Sequence, residues 1–247
     1  MKGRVFLAEW FADVKAEFIL NFIKEDRWRQ LLNGLGVTIQ ITLISIVLGL
    51  IIGVVIATIR STYDLTKDEM RGCKKTVMKI LNAFARVYLT VIRGTPVVIQ
   101  LLIIFFVIFA SSTNGVMSAV IAFGINSGAY VAEIIRGGIM SIDKGQMEAG
   151  RSLGFNYIET MRYIIIPQAL KNVLPSLANE FIALLKETSV AGYVAVVDLT
   201  RAGNIIRGKT FSAFMPLFAV ALIYLAMVMI LTYFVGVLER RLRNSER

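Results

Sequence analysis

The chain contains no histidine, and Cys73 is the only cysteine among its 247 residues. Without histidine, zinc and haem sites lose their commonest ligand, and one thiol excludes an intrachain disulfide. Metal and redox chemistry are therefore not expected of this chain, and no nucleophile motif points to hydrolysis. The first thirty residues also lack the apolar core of about 7 to 15 residues that a cleavable secretory leader needs. What is plentiful is apolar side chain, 56% of all positions, with several runs near the roughly 20 residues that cross a hydrocarbon core. The composition is that of a polytopic, all-α membrane protein. An excess of 27 Lys and Arg over 17 Asp and Glu fits the basic loops that orient such a chain, so nucleic acid is not an expected partner.

Along the sequence, residues 1–31 read as an amphipathic segment, extracytoplasmic or at the membrane surface, with Trp10, Phe11, Val14, Phe18 and Phe22 near helical spacing. Five spans are expected after it, at about 35–59, 83–109, 116–135, 173–185 and 214–238. Thr38, Thr42, Ser45, Gly49 and Gly53 form a stripe of small residues on the first span, which suits close helix packing. The Gly49/Gly53 and Gly124/Gly128 pairs are read the same way. The region 60–79 reads as a basic loop, and the second span is expected to run through Thr95-Pro96. Arg86 and Arg93 enter it and are expected to reach headgroups or the bundle interior. Asn126, Tyr130 and Glu133 share one face of the third span.

Between the third and fourth spans lies MEAGRSLGFNYIETMRYIIIPQAL, residues 147–170, a charged, glycine-marked segment in an otherwise apolar chain. The connections on its side of the membrane hold the larger share of Lys and Arg, which places this segment and the C-terminus in the cytoplasm.

Within that segment, Glu148, Ala149, Gly154, Ile164 and Pro167 fall in the register of the EAA loop of bacterial ABC importer permeases. Gly150 replaces the pattern's second alanine, and Ile166 replaces its leucine. RGTPVVIQ at 93–100, NSGAYVAEIIRGGIMSIDKGQMEAGRSLG at 126–154 and NEFIALLKETS at 179–189 extend the likeness. The chain resembles the polar amino acid permeases of the histidine, glutamine and arginine uptake systems, over about residues 32–243.

The resemblance implies a type I ABC importer transmembrane domain at 32–243, with a coupling loop at 144–158 and a cytoplasmic tail at 244–247. It implies a bacterial cytoplasmic (inner) membrane location and a dimer with itself or a similar permease subunit. It also implies an extracytoplasmic amino-acid-binding protein and separate ABC ATP-binding subunits that carry ATP-Mg, with no cofactor in this chain. Glu148, Ala149, Gly150, Leu153, Gly154, Ile164 and Pro167 are then the residues that couple to the ATPase. Glu148 near the start of a short helix suits a capping role, and Gly154 suits a C-terminal turn. Because glycine is a weaker helix former than alanine by about 1 kcal/mol, Gly150 predicts a shorter or softer coupling helix.

For the substrate pathway the candidates are Glu180, Asn179, Asn126, Tyr130 and Glu187. A carboxylate within a span meets an ammonium or cationic side chain, and amides hydrogen-bond a substrate carboxylate. The competing reading ties Asn179 and Glu180, and more strongly Asn126 and Tyr130, to helix packing. GNIIRGKT at 203–210 satisfies the P-loop pattern but has neither the strand nor the domain around it that phosphate binding requires. The rival class is a secondary transporter or channel without an ATPase, for which paired broken helices and an internal repeat would speak.

Overall fold

The computed structural model describes residues 2–112 and 114–244. Helix α1 spans Lys2–Phe18 and runs into a π-helical turn, Ile19–Ile23. Glu25 and Asp26 then adopt left-handed backbone at φ 58° and 52°, and α2 follows at Arg27–Thr66. Next come α3 at Gly72–Gly94, α4 at Val97–Ile103 with a π-helical turn Ile104–Ile108, and α5 at Gly115–Met140. The charged segment between the third and fourth expected spans folds as α6, Lys144–Ser152, and α7, Tyr157–Thr160. After a π-helical turn at Met161–Ile165 come α8 at Ile166–Glu187, α9 at Leu199–Thr210 and α10 at Phe214–Asn244. Beyond Asn244 the expected tail lies outside the described residues.

Among the described residues, Trp10–Thr66, Gly115–Met140 and Phe214–Leu242 contain helices long and apolar enough to cross a membrane, and α3 with α4 makes a fourth crossing if counted as one bent span. α8 has the length, with 22 residues, but Lys171, Glu180, Lys186 and Glu187 dilute its apolar character. Two expectations need correction. The region 60–79 is mostly helix, because α2 continues to Thr66 and α3 starts at Gly72. The second span is not straight: α3 and α4 meet at 107°. Pro96 has no N–H to continue the ladder and forces the residue before it out of helical backbone. Thr95 accordingly sits at φ −120°, ψ 144°.

The carbonyls freed at that bend are claimed by Gln100. Its Nε2 donates to Ile92 O at 2.7 Å, to Thr95 Oγ1 at 2.8 Å and to Thr95 O at 3.1 Å. A break at membrane depth is tolerated only when such groups are satisfied internally.

The core is the α2–α5 pair, the most extensive helix contact in the chain. The small-residue stripe forms it as the sequence predicts. Thr38, Thr42, Ser45, Gly49 and Gly53 are buried on α2, and Ser45 donates to Val120 O at 3.2 Å. A Cβ on Gly53 would overlap the Val131 side chain, and one on Gly124 would meet Leu48. The helices approach too closely for alanine, so packing contact rather than substrate passage fills this seam. α8 crosses against α5, α2 and α10, while α9 bridges α2 and α10 at the end of α8 remote from α6. α6 and α9 therefore mark opposite ends of the bundle.

Candidate coupling segment and membrane pathway

α6 is framed by hydrogen bonds at both ends. Its N-cap is Asp143, whose Oδ1 accepts from Gly145 N at 2.6 Å, so the capping role expected of Glu148 belongs to Asp143. Glu148 lies mid-helix and points to solvent. At the other end Gly154 N donates to Arg151 O at 2.9 Å and Phe155 N to Gly150 O at 3.0 Å, the paired bonds of a Schellman closure. Gly154 stands at φ +85°, backbone that glycine adopts without steric cost. The chain then re-enters helix through a capping box, in which Asn156 accepts from Glu159 N and Glu159 from Asn156 N.

Gly150 is the one buried residue of α6. A Cβ there would lie 2.6 Å from Thr160 Cγ2, 2.8 Å from Thr160 Oγ1 and 3.2 Å from Ile164 Cδ1. Thr160 is itself fully buried, at 0% exposure, and its hydroxyl donates to Asn156 O. The role of Gly150 is thus close seating: it lets α6 rest on Thr160 and Ile164, and α6 keeps its nine residues. Gly150→Ala is expected to lower ATP-coupled uptake by about fivefold to tenfold through overpacking, and adding Thr160→Ala to restore most of it. Uptake assays on the two variants check this; a harmless Gly150→Ala, or no recovery in the pair, contradicts the contact.

Ile164 therefore works from inside the segment, while Pro167 sits at the start of α8, where its missing N–H is tolerated. Leu153 is 72% exposed and Ile158 73% exposed, so both are apolar side chains left without cover. Behind them the segment is bolted to the bundle. Arg151 pairs with Glu69 at 2.7 Å, Tyr157 Oη donates to Thr62 Oγ1 at 3.4 Å, and Asn172 reaches Ser141 at 3.2 Å. Burial raises the Tyr157 phenol above its ordinary pKa, while the Thr62 hydrogen bond works the other way. α6 thus touches the turn after α2 through Glu69, and α7 touches α2 itself through Thr62.

The pathway candidates separate into two groups. Glu180 accepts from Ser127 Oγ at 2.8 Å, and Asn179 is exposed on the same helix. Asn172, Ser176, Asn179 and Lys186 are exposed at steps of three, four and seven along α8, one polar face that hydrocarbon would penalise. That face suits a water-filled path or a second subunit. Glu187, half-buried at the end of α8, lies beside Lys186.

Asn126 and Tyr130 are engaged elsewhere. Asn126, 3% exposed, donates to Gln100 Oε1 at 3.1 Å and so orients the amide that holds the bend. The Tyr130 ring receives the Arg93 guanidinium at 5.5 Å, and Arg93 also pairs with Glu133 at 3.9 Å. Glu133 and Asp64 both meet Arg136. Sequence reading misses Ser127, Gln100 and Ser176; Ser127 is legible only once α8 is laid beside it.

The P-loop look-alike is helix: α9 runs unbroken across it, and Gly203 faces Val220 so closely that a Cβ would lie 2.5 Å from its side chain. Asp198 caps α9 by accepting from Arg201 N at 2.9 Å and Thr200 N at 3.2 Å. Burial raises its carboxyl above the usual range against the lowering effect of those donors.

Residues 76–244 match the family described as the binding-protein-dependent transport system inner membrane component. The chain belongs to that family. It is similar to the glutamine transport system permease protein GlnP of Escherichia coli K12, 42% identical over 168 residues that cover 66% of this chain and 77% of that one. It is also similar to the arginine transport system permease protein ArtQ of Bacillus subtilis 168, 35% identical over 219 residues, covering 87% and 94%. The crystal structure of an amino acid ABC transporter with histidines aligns at TM-score 0.76 and 38% identity, over 89% of this chain and 98% of that chain. The MetNI methionine ABC transporter, at TM-score 0.74 and 18% identity over 88% and 98%, shares the fold. The chain is thus an all-α transmembrane subunit of the ABC importer type, an inner-membrane permease.

Proposed function

We propose that this permease forms the transmembrane pathway for a polar or basic amino acid and takes its energy from a separate ATPase subunit docked on residues 144–158. The observation that carries this reading is α6 itself. It is a short helix closed by hydrogen bonds at both ends, fastened behind to the turn after α2, and followed by an uncovered Leu153 in front. Glu148, Ala149 and Leu153 supply the outer contact, Gly150 and Ile164 the inner seat, and Gly154 and Pro167 the turns that define the segment.

In this reading residues 32–243 are the transport domain, the C-terminus lies in the cytoplasm, and residues 1–31 lie on the extracytoplasmic side. A second permease subunit covers the polar face of α8, and a binding protein delivers substrate at the α9 end. ATP-driven closure of the ATPase subunits moves α6, and α2 and α8 open the path outward. Glu180, held by Ser127, meets the cationic end of the substrate, and Asn179 borders the same path. Hydrolysis returns the complex to the inward-facing state.

Reconstitution with the ATPase and binding protein tests the reading. Amino acid uptake is expected with ATP and not with an ion gradient alone; uptake driven only by the gradient overturns it.

A further inference from the structure

Residues 10–28 lie outside the part of the chain that matches the family, yet they are built into the bundle. Asn21 is fully buried at 0% exposure. Its Nδ2 donates to Glu17 O at 2.8 Å, and its Oδ1 accepts from Thr210 Oγ1, at the last residue of α9, at 2.7 Å. Phe22 packs with Leu31, Leu199, Ala202, Ile206 and Val220, side chains of α2, α9 and α10. Arg27, 5% exposed, donates to Leu20 O and pairs with Glu25 at 3.1 Å. The π-helical turn at Ile19–Ile23 is therefore seated on α9.

The other side of this segment is uncovered and apolar. Trp10, Phe11, Phe18, Ile19, Ile23 and Trp28 are all exposed, interleaved with the cations Lys15, Lys24 and Arg29 and the carboxylates Asp13, Glu17, Glu25 and Asp26. Depth is set by α9 and α10: Thr210 lies four residues before Phe214, where the apolar α10 begins. The aromatic face thus stands at the boundary of the hydrocarbon. Tryptophan and cationic side chains with an apolar body favour the headgroup level of a bilayer over either water or the acyl interior.

We propose that residues 10–28 are a lipid-anchored latch: the aromatic face beds into the headgroup layer of the outer leaflet, and Asn21 and Phe22 hold α9 to it. The latch ties the helix at the mouth of the pathway to the membrane surface. This rests on the extracytoplasmic placement of residues 1–31 proposed above.

The chain carries its own probe, because it has only 2 tryptophans, Trp10 and Trp28, both in this segment. The full-length Trp28→Phe variant is reconstituted in phosphatidylethanolamine and phosphatidylglycerol vesicles that contain lipid brominated near the headgroup or near the chain end. Trp10 emission is expected to be quenched about twofold more by the shallow bromines than by the deep ones. Emission indifferent to both, as beneath a second protein copy or in water, overturns the lipid anchor. So does preferential quenching by the deep bromines.

Hydrogen exchange of residues 199–210 reads the latch. Asn21→Ala and Thr210→Val are expected to speed exchange about tenfold, with Thr210→Ser near the parent, because each substitution removes the side-chain hydrogen bond that joins residue 21 to the end of α9. Unchanged exchange in both variants overturns it. Sidedness is read separately by an impermeant maleimide on Asp13→Cys in a Cys73→Ser background. Labelling from the cytosolic side alone overturns the topology and the outer-leaflet latch together; labelling from outside with an unquenched Trp10 overturns the latch alone.

Discussion

Replacing Leu153 with aspartate is expected to strip the ATPase subunit from the purified complex while leaving the permease folded in the membrane. Leu153 is 72% exposed and lies just past the last turn of α6, so within this chain the new carboxylate meets only water. In the complex the same position loses an apolar anchor worth about 2 kcal/mol. It also imposes desolvation on a charge, and the two together exceed the 2.7 kcal/mol or so that correspond to a hundredfold in affinity. Glu148→Arg, also on the exposed side of α6, is expected to act in the same direction by reversing a charge. Co-purification of the ATPase and ATP-coupled uptake measure the loss, with thermal unfolding of the permease alone as the control. Retained association and uptake in both variants would remove α6 as the docking element.

The second large effect concerns Glu180. With Ser127 on one oxygen and no cation paired to it among the described residues, its carboxylate offers a site for a positive group. A charge-assisted hydrogen bond contributes about 1.5–3 kcal/mol. Glu180→Gln should therefore lower uptake of a cationic amino acid by roughly tenfold to a hundredfold and uptake of a neutral one far less. Competition between arginine and glutamine in the reconstituted importer reads this ratio. An equal loss for both substrates assigns Glu180 to helix packing instead.

The parts of this protein that were legible in its sequence are those whose cause is local. Small residues at steps of three and four on α2 lead to the seam with α5, and Gly154 marks the turn after α6. The register of Glu148 to Pro167 marks the segment that folds as α6 and α7, because glycine and proline act on their own backbone. What stayed hidden depended on partners far away in sequence. Gly150 read as a weak helix former, since its clash with Thr160 exists only after the chain has folded back. Asn126 read more strongly as a packing residue than as a pathway one, but its partner, Gln100, stayed hidden because it is 26 positions distant. The sharp bend at Pro96 was missed because the apolar stretches on either side of it, 87–92 and 97–109, were read as one span, and hydropathy carries no direction. Asp143 rather than Glu148 caps α6, a difference of five residues that motif register alone does not resolve.

The Gln100 clamp has a mechanical corollary. Its amide nitrogen carries two hydrogens but faces three acceptors, Ile92 O, Thr95 O and Thr95 Oγ1. One hydrogen is therefore shared between two acceptors, so a small rotation of α4 against α3 is expected to exchange one partner for another instead of breaking a bond. Such a joint is expected to resist separation of α3 and α4 while tolerating a small change in the angle between them. Asn126, pinning the far oxygen of the same amide, fixes the axis about which that turning happens.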